Sequence, residues 1–235
     1  VFADAQADAA EAGVLAGIFA ASGQTCIAGS RLLVQRDIER EFVERVAARA
    51  RKIQLGDPTA AATQMGPAAT PAQLAKIEAC VAEAVAQGAE VIAGGRTPDD
   101  PGLGGGLYYE PTVLAGVTPE MKIAQEEVFG PVLAVLSFED EEEAIRVANG
   151  TPYSLAAGVW TTNIKRAHRM ARSLNAGTVW VNTYRAVAPM SPFGGSGMSG
   201  HGRESGLEAI HEVTKTKSVW VELSDAVQDP FTLRV

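Results

Sequence analysis

The chain has 235 residues, of which 46% are hydrophobic, and this length and composition are typical of a globular protein with a well-buried core. It carries 28 acidic and 20 basic residues, which gives a net charge of −8, and it has no Lys/Arg cluster with interleaved aromatic residues. We therefore expect no nucleic-acid partner, because nucleic-acid binding requires a basic surface.

The N-terminal apolar segment is the natural candidate for a membrane span or a targeting signal. It runs from Ala12 to Ala21, well short of the roughly 20 residues that cross a bilayer. Asp4, Asp8 and Glu11 precede it, where a signal peptide would carry positive charge. We therefore expect no membrane association. Two cysteines in a chain of this length do not make a disulfide framework, so the cytoplasm is the expected location.

Apolar periodicity predicts helices that alternate with strands along the chain. The helices are predicted at 7–21, at 38–53 with Asp37 as N-cap, at 71–87 with Gly88 at its C-terminal end, from the acidic run 140–143 to "ANG", and over "NIKRAHRMARSLNAG", closed by Gly177. The strands are predicted at "RLLV", "EVIAGG", "YYEPTVLAG", "PVLAVLSF", "LAAGVWT", "TVWVN" and "KSVWVEL", and a flexible loop at 102–106. The alternation predicts an α/β fold with a mostly parallel sheet flanked by helices.

The two cysteines differ in their surroundings. Cys80 lies on the predicted 71–87 helix, beside an apolar face formed by Leu74, Ile77, Val81 and Val85, and we interpret it as a core thiol.

Cys26 lies in "GQTCIAGS", among small residues between a predicted helix and a predicted strand. Small neighbours give a substrate access to the thiol and let backbone N–H groups converge on a developing oxyanion. The same pattern fits a cysteine packed under a turn. The local sequence leaves both interpretations of Cys26 open.

Other motifs do not decide between them. None of the three histidines, at 168, 201 and 211, has a recognisable sequence relation to Cys26, and no metal is expected because no cluster has metal-ligand spacing. "GSGMSG", at 195–200, matches the dinucleotide pattern G-x-G-x-x-G. The preceding strand ends near Asn182, and Pro189 and Pro192 interrupt the approach, so we interpret this segment as a loop.

The segment "EEVFGPV", at 126–132, is a further candidate site. One interpretation is a carboxylate that binds sugar hydroxyls, with Phe129 packed against a ring. The other is an acidic turn that enters a strand. Spacing alone does not choose between them.

Three segments together carry a resemblance to a known family. "GQTCIAGSRLLVQ", "AQEEVFGPVLAV" and "AGTVWVNTYRAVAPMSPFGGSGMSGHGRESG" closely resemble the C-terminal half of NAD(P)-dependent aldehyde dehydrogenases, and the resemblance runs from residue 1 to about 223. It implies that Cys26 is the nucleophile, attacking an aldehyde to form a thiohemiacetal and then a thioester, with its own N–H as one oxyanion donor. Glu127 would bind the nicotinamide ribose, beside Phe129.

The resemblance also implies a substrate site. Thr25, Ile27 and the loop from Arg185 to Val187 would flank it, and Phe193 would belong to its tunnel. A cation at Arg185 could favour an acidic aldehyde, and a solvated loop arginine is the alternative.

The C-terminal end resembles the family's oligomerisation strand. "KSVWVEL", at 217–223, would add to the sheet of a neighbouring copy, giving a dimer or tetramer. The resemblance thus divides the chain into a catalytic domain, residues 1–212, and an oligomerisation strand and tail, residues 213–235.

The family's remaining machinery lies upstream of the segment that "VFADAQADAA" resembles. This machinery includes the general-base glutamate of an E-L-G-G motif, the oxyanion-hole asparagine and the NAD- or NADP-binding domain. We therefore expect this chain alone to be inactive as a dehydrogenase. Two alternatives remain open for it: a non-catalytic oligomerisation module and a weak thiol esterase.

Overall fold

The computed structural model describes residues 1–103, 105–225 and 231. The helices are α1 Ala7–Phe19, α2 Glu39–Ala50, α3 Pro71–Ala86, α4 Lys122–Gln125, α5 Glu141–Asn149, α6 Ile164–Ser173 and α7 Ala209–Glu212. The strands are β1 Arg31–Gln35, β2 Glu90–Ala93, β3 Thr112–Ala115, β4 Val132–Phe138, β5 Ala156–Val159 and β6 Thr178–Val181. Gly104 of the predicted loop and most of the predicted tail, 226–230 and 232–235, lie outside the described residues.

The strands divide into two sheets. A four-stranded sheet has the order β1-β4-β3-β2, in which β1 and β3 run parallel to β4 and β2 is an antiparallel edge. A second sheet holds β5 and β6 in parallel. The predicted α/β fold with mostly parallel strands flanked by helices is therefore confirmed, with the strands shared between two sheets instead of one.

Strand β4 is the centre of the larger sheet because its sequence is apolar on both faces. Alternate residues enter different core clusters, as the two-residue period of a strand requires. Leu133 and Val135 pack with Ile18 of α1 and Val46 of α2. Val132, Ala134 and Leu136 pack on the other face, with Ile77 and Val81 of α3 and Val147 of α5.

The smaller sheet joins the rest through the N-terminal segment. Phe2 packs edge-on against Phe138, with 5.1 Å between ring centroids. Asp4 accepts hydrogen bonds from Thr161 and from the backbone of Asn163, and it pairs with Arg166 of α6 at 2.8 Å. These contacts hold β5, β6 and α6 beside the end of β4.

Some local predictions were wrong. Asp37 does not cap α2: it lies in a 3₁₀ turn, Arg36–Ile38, and the N-cap is Ile38, which makes no side-chain cap bond. Gly177 does not end α6, which stops at Ser173; a Cβ at Gly177 would lie 1.6 Å from the Gly194 carbonyl oxygen, so a close backbone approach requires this glycine.

The apolar face predicted for α3 is only partly correct. Ile77 and Val81 are buried, whereas Val85, in the last turn of the helix, is 46% exposed. α3, the longest helix within 1–103 and 105–225 at 16 residues, is too short to traverse a bilayer.

The two aspartates that precede α2 and α5 provide a stability test. Asp140 accepts a hydrogen bond from the Glu143 N–H at 2.9 Å and is the true N-cap of α5. We expect Asp140→Ala to lower the free energy of unfolding by about 1 kcal/mol. Asp37→Ala should change it by less than about 0.5 kcal/mol, because Asp37 caps nothing. Urea denaturation measures both, and equal losses would contradict this assignment.

Candidate active site

The loop that carries Cys26 begins with a reversal of the backbone after α1. We call residues 20–30 the Cys26 loop. Ala21, Ser22 and Gly23 have φ angles of 53°, 55° and 68°, so three consecutive residues are left-handed. For Ala and Ser this conformation is costly, and neighbouring contacts must stabilise it.

A close contact between two backbones follows from this reversal. A Cβ on Gly23 would lie 2.0 Å from the carbonyl oxygen of Gly130. Gly23 therefore has to be glycine both for its φ angle and for the space it leaves. The contact places the Cys26 loop directly against residues 126–130, the first five of the "EEVFGPV" segment, which we call the acidic turn.

The Cys26 loop is also bonded to the loop that precedes α3. The Ser22 hydroxyl donates to the Gly66 carbonyl at 2.8 Å. The Gln24 amide donates to the Pro67 carbonyl at 3.2 Å and accepts from the Ala69 N–H at 2.8 Å. These three bonds join the strained residues to the segment 66–69.

The first turns of α3 hold the acidic turn in the same way. The Gln73 amide donates to the carbonyls of Val128 and Phe129, each at 2.8 Å. The Lys76 ammonium donates to the Glu127 carbonyl at 2.6 Å. Phe129 is itself left-handed, with φ of 59°. The backbone of the turn is therefore fixed, while the Glu127 carboxylate stays exposed.

Tyr184 closes the far side of the Cys26 loop. Its ring faces Gly17, Gly29 and Gly158, where a Cβ would lie between 2.7 and 3.2 Å from the ring or its hydroxyl. Its hydroxyl donates to the Ile27 carbonyl at 3.1 Å. Burial raises the pKa of Tyr184 to about 12, so this hydroxyl remains a donor near neutral pH. The glycines thus make room for an aromatic ring that supports the loop.

These elements border a cavity of about 400 Å³. Cys26, Ile27, Glu126, Glu127 and Tyr184 are among the residues that line it. Cys26 is exposed. The structure therefore places the predicted nucleophile and the predicted ribose-binding glutamate, which lie about a hundred residues apart in the sequence, on one cavity.

All eight predicted site residues are described, but only three of them line this cavity: Cys26, Ile27 and Glu127. Thr25 and Phe129 are partly buried in the adjoining turns.

The other three lie in the region after β6. Arg185 is partly buried, and its guanidinium donates to the Ala16 carbonyl at 3.3 Å. Val187 is 72% exposed. Phe193 is partly buried and pairs through its backbone with Glu204, with both N–H···O distances at 2.8 Å. Their roles toward a substrate stay predictions.

The glycine-rich segment 195–200 is a loop, as interpreted. In the described chain no strand leads directly into it and no helix follows it directly. Ser154 bonds to Ser196, with its hydroxyl donating to the carbonyl at 2.6 Å, and the Ser154 N–H donates to Ser199 at 3.0 Å. The loop is thus tied to the segment before β5, at the cavity border.

The remaining candidate groups are unlike Cys26. Cys80 is only partly buried, and burial raises the pKa of its thiol. The three histidines are exposed. Among the described residues, no three His, Cys, Asp or Glu side chains are grouped as a metal ion would need.

Sequence reasoning missed Gln24, Gln73 and Tyr184. Gln24 and Gln73 make their bonds to backbone groups of distant loops, which no local pattern reveals. Tyr184 had a usable signal: it follows a parallel strand closely, at the carboxyl end where sites of α/β folds gather.

The backbone contact at Gly23 provides a second stability test. Gly23→Ala should lower the free energy of unfolding by about 3 kcal/mol or more, because the left-handed penalty adds to a clash with the Gly130 carbonyl. The matched control is Gly88→Ala, where φ is +107° but nothing lies within 4 Å of the new Cβ. It should cost only the conformational part, about 1–2 kcal/mol. Similar losses at both positions would refute the clash.

Known proteins with the same architecture were found by sequence and by structure. A (Z)-2-((N-methylformamido)methylene)-5-hydroxybutyrolactone dehydrogenase of Acinetobacter baylyi is 50% identical over all of this chain and 48% of its own length. A betaine aldehyde dehydrogenase of Cereibacter sphaeroides is 47% identical over 94% of this chain and 45% of its own length. The chain therefore spans about half the length of these curated relatives.

Solved structures agree with this match. A Staphylococcus aureus betaine aldehyde dehydrogenase double mutant, in complex with NAD+ and with a BME-modified cysteine, superposes with a TM-score of 0.95 at 40% identity, covering 98% of this chain and 47% of that one. PnpE from Pseudomonas sp. WBC-3 superposes with a TM-score of 0.92 at 46% identity, over 98% and 47% of the two chains. The sequence model of the aldehyde dehydrogenase family matches residues 1–219, and this chain belongs to that family.

Proposed function

We propose that this chain supplies the thiol-bearing part of an NAD(P)-dependent aldehyde dehydrogenase, which oxidises an aldehyde to a carboxylic acid. The observation that carries the proposal is the shared cavity, which the exposed Cys26 and the Glu127 carboxylate both line. Family membership supports the reaction class.

Cys26 is the proposed nucleophile. Its thiolate sulfur forms a bond to the aldehyde carbon, and the carbonyl electron pair moves to oxygen, which gives a thiohemiacetal. The Cys26 backbone N–H donates no hydrogen bond within the described residues and is available to the developing oxyanion. Cys26 would therefore supply both the attacking sulfur and a hydrogen-bond donor to the oxyanion.

The second half of the reaction is proposed to regenerate the thiol. When bound, the nicotinamide supplies the acceptor for the hydride that leaves the thiohemiacetal carbon. Cys26 then holds the acyl group as a thioester, and water hydrolyses this bond to release the acid and the thiol. A general base for that water is proposed to lie in sequence that the relatives contain beyond the half matched here.

Glu127, with Phe129 in the same turn, is proposed to hold the ribose of such a cofactor. The carboxylate is exposed at the cavity, and an ionised carboxylate accepts hydrogen bonds from paired hydroxyls. The bonds from Gln73 and Lys76 fix the backbone below it, so the carboxylate is presented from a rigid turn.

The aldehyde itself is proposed only as a class. Two relatives of similar identity, 50% and 47%, carry the names of different substrates, so identity alone does not assign one. Arg185 remains the residue to vary first for an acidic substrate, although its guanidinium is engaged by the Ala16 carbonyl. A cytoplasmic location stays a prediction.

The C-terminal segment is proposed to pair with a second copy of this chain. Residues 217–223 form no strand here, and their large side chains are exposed: Val219 73%, Trp220 93%, Val221 71% and Leu223 91%. An extended segment with this composition is suited to strand addition at a sheet edge, where it would cover its apolar side chains.

The nucleophile is tested by comparing the two cysteines in the complete encoded protein. Cys26→Ser should lower the rate of NAD(P) reduction with simple aldehydes by at least about 10³-fold, because a hydroxyl is a far weaker nucleophile than a thiolate. Cys80→Ser should keep most of the activity, because Cys80 lies outside the cavity lining. Absorbance of the reduced nicotinamide measures both rates. Undiminished activity in Cys26→Ser would rule out the proposal.

The assembly role is tested separately. Deletion of residues 217–223 should reduce the oligomer to smaller species, because the apolar strand is lost, and multi-angle light scattering gives the mass. The matched control is Val187→Ser, which removes an exposed apolar side chain elsewhere. An unchanged oligomer after the deletion would contradict the role of this segment.

A further inference from the structure

We propose that Gln24 is a positioning residue for Cys26, whose side-chain amide clamps the strained start of the Cys26 loop to residues 66–69. The inference rests on the proposed function of Cys26 and adds a residue that acts through it. Gln24 is partly buried and lies two positions before the thiol.

The first step of the argument is the strain. Ala21 and Ser22 occupy left-handed conformations that favour glycine, and Gly23 continues the run. Such a turn relaxes unless the surrounding structure over-determines it. Cys26 lies three residues after this run, so the bonds that hold residues 21–24 set how the chain reaches it, while the Tyr184 hydroxyl holds the next residue through the Ile27 carbonyl.

The second step is the contact set. Gln24 uses both ends of its amide, donating to the Pro67 carbonyl at 3.2 Å and accepting from the Ala69 N–H at 2.8 Å. Two bonds in a fixed plane orient a side chain as well as attach it. Ser22 adds a third bond, to the Gly66 carbonyl at 2.8 Å. All three partners are backbone groups of one short segment.

The third step is the stiffness of that segment. The Ala68 N–H donates to the Leu107 carbonyl at 2.8 Å, and Met65 beside it is only 2% exposed. Thr70, which follows directly, caps α3 by accepting from the Gln73 N–H at 3.1 Å. Residues 66–69 are therefore tied at both ends and can serve as an anchor.

The fourth step links the clamp to the other half of the site. The same helix start that follows residues 66–69 holds the acidic turn through Gln73. Gln24 thus attaches the Cys26 loop to the segment that leads into the same helix start, which also holds the acidic turn that carries Glu127. Without the Gln24 amide, the loop would still contact Gly130 but would lose the two bonds to residues 67 and 69. The Cys26 thiol would then be held less precisely in the orientation that attack requires.

The test compares Gln24→Met, Ser22→Ala and Gln87→Met in the complete encoded protein. Methionine keeps the length of glutamine and removes the amide. Gln87 is the matched control, because within the described part of the chain its side chain bonds only to the Lys122 N–H, at the opposite end of α3. Iodoacetamide alkylation that is lost in Cys26→Ser counts the Cys26 thiol apart from Cys80, and acylation by p-nitrophenyl acetate without cofactor gives a rate per titrated Cys26 thiol.

We expect the acylation rate per titrated thiol to fall about tenfold in Gln24→Met and by a smaller factor in Ser22→Ala. The rate of alkylation by iodoacetamide should change by less than about threefold, because this small reagent can reach the thiol in many orientations. The turnover rate with aldehyde should follow acylation, the KM for NAD(P) should stay unchanged, and Gln87→Met should match the wild type.

Two results would overturn the inference. One is an acylation rate per titrated thiol that is unchanged in Gln24→Met. The other is a loss confined to the melting temperature and the number of titratable thiols, which a merely structural role would produce. If Gln24→Met does not fold, Ser22→Ala decides by the same criteria. Failure of the proposed function looks different, because the wild type would then show no acylation that depends on Cys26.

Discussion

Two backbones that meet at Gly23 and Gly130 hold the candidate site together. A Cβ at Gly23 would lie 2.0 Å from the Gly130 carbonyl oxygen, so the approach is possible only without a side chain. This contact brings together the Cys26 loop and the acidic turn, which lie more than a hundred residues apart in the sequence. The left-handed run at 21–23 allows this approach, and the hydrogen bonds of Ser22 and Gln24 hold the run in place.

The larger sheet supplies the rigid base for this contact. β1 follows the Cys26 loop and β4 follows the acidic turn, and the two strands pair in parallel from Arg31 and Ala134 onward. Parallel pairing places the starts of both strands at one edge, so their preceding loops must be neighbours. The mostly apolar β4 keeps this edge fixed, because both of its faces are buried.

Much of the fold was accessible from periodicity. β4 and α5 were predicted with nearly correct bounds, because a continuous apolar run and an acidic first turn are strong local patterns. Asp37 was misassigned because a 3₁₀ turn separates it from α2, and capping chemistry alone does not reveal that turn. The split into two sheets was also missed, since strand order depends on contacts between distant residues.

For the site, the sequence by itself named the candidate side chains: three motifs in a fixed order marked Cys26, Glu127 and Phe129. The residue types at 23–30 also set which backbone conformations were possible there. Only the tertiary structure decided that Cys26 and Glu127 share a cavity, that Gly29 makes room for Tyr184, and that Gln24 bonds to residues 66–69. The physical reason is that these contacts join backbone groups far apart in the chain. Hydrogen bonds to carbonyls and N–H groups leave no imprint on the identity of the residues that supply them.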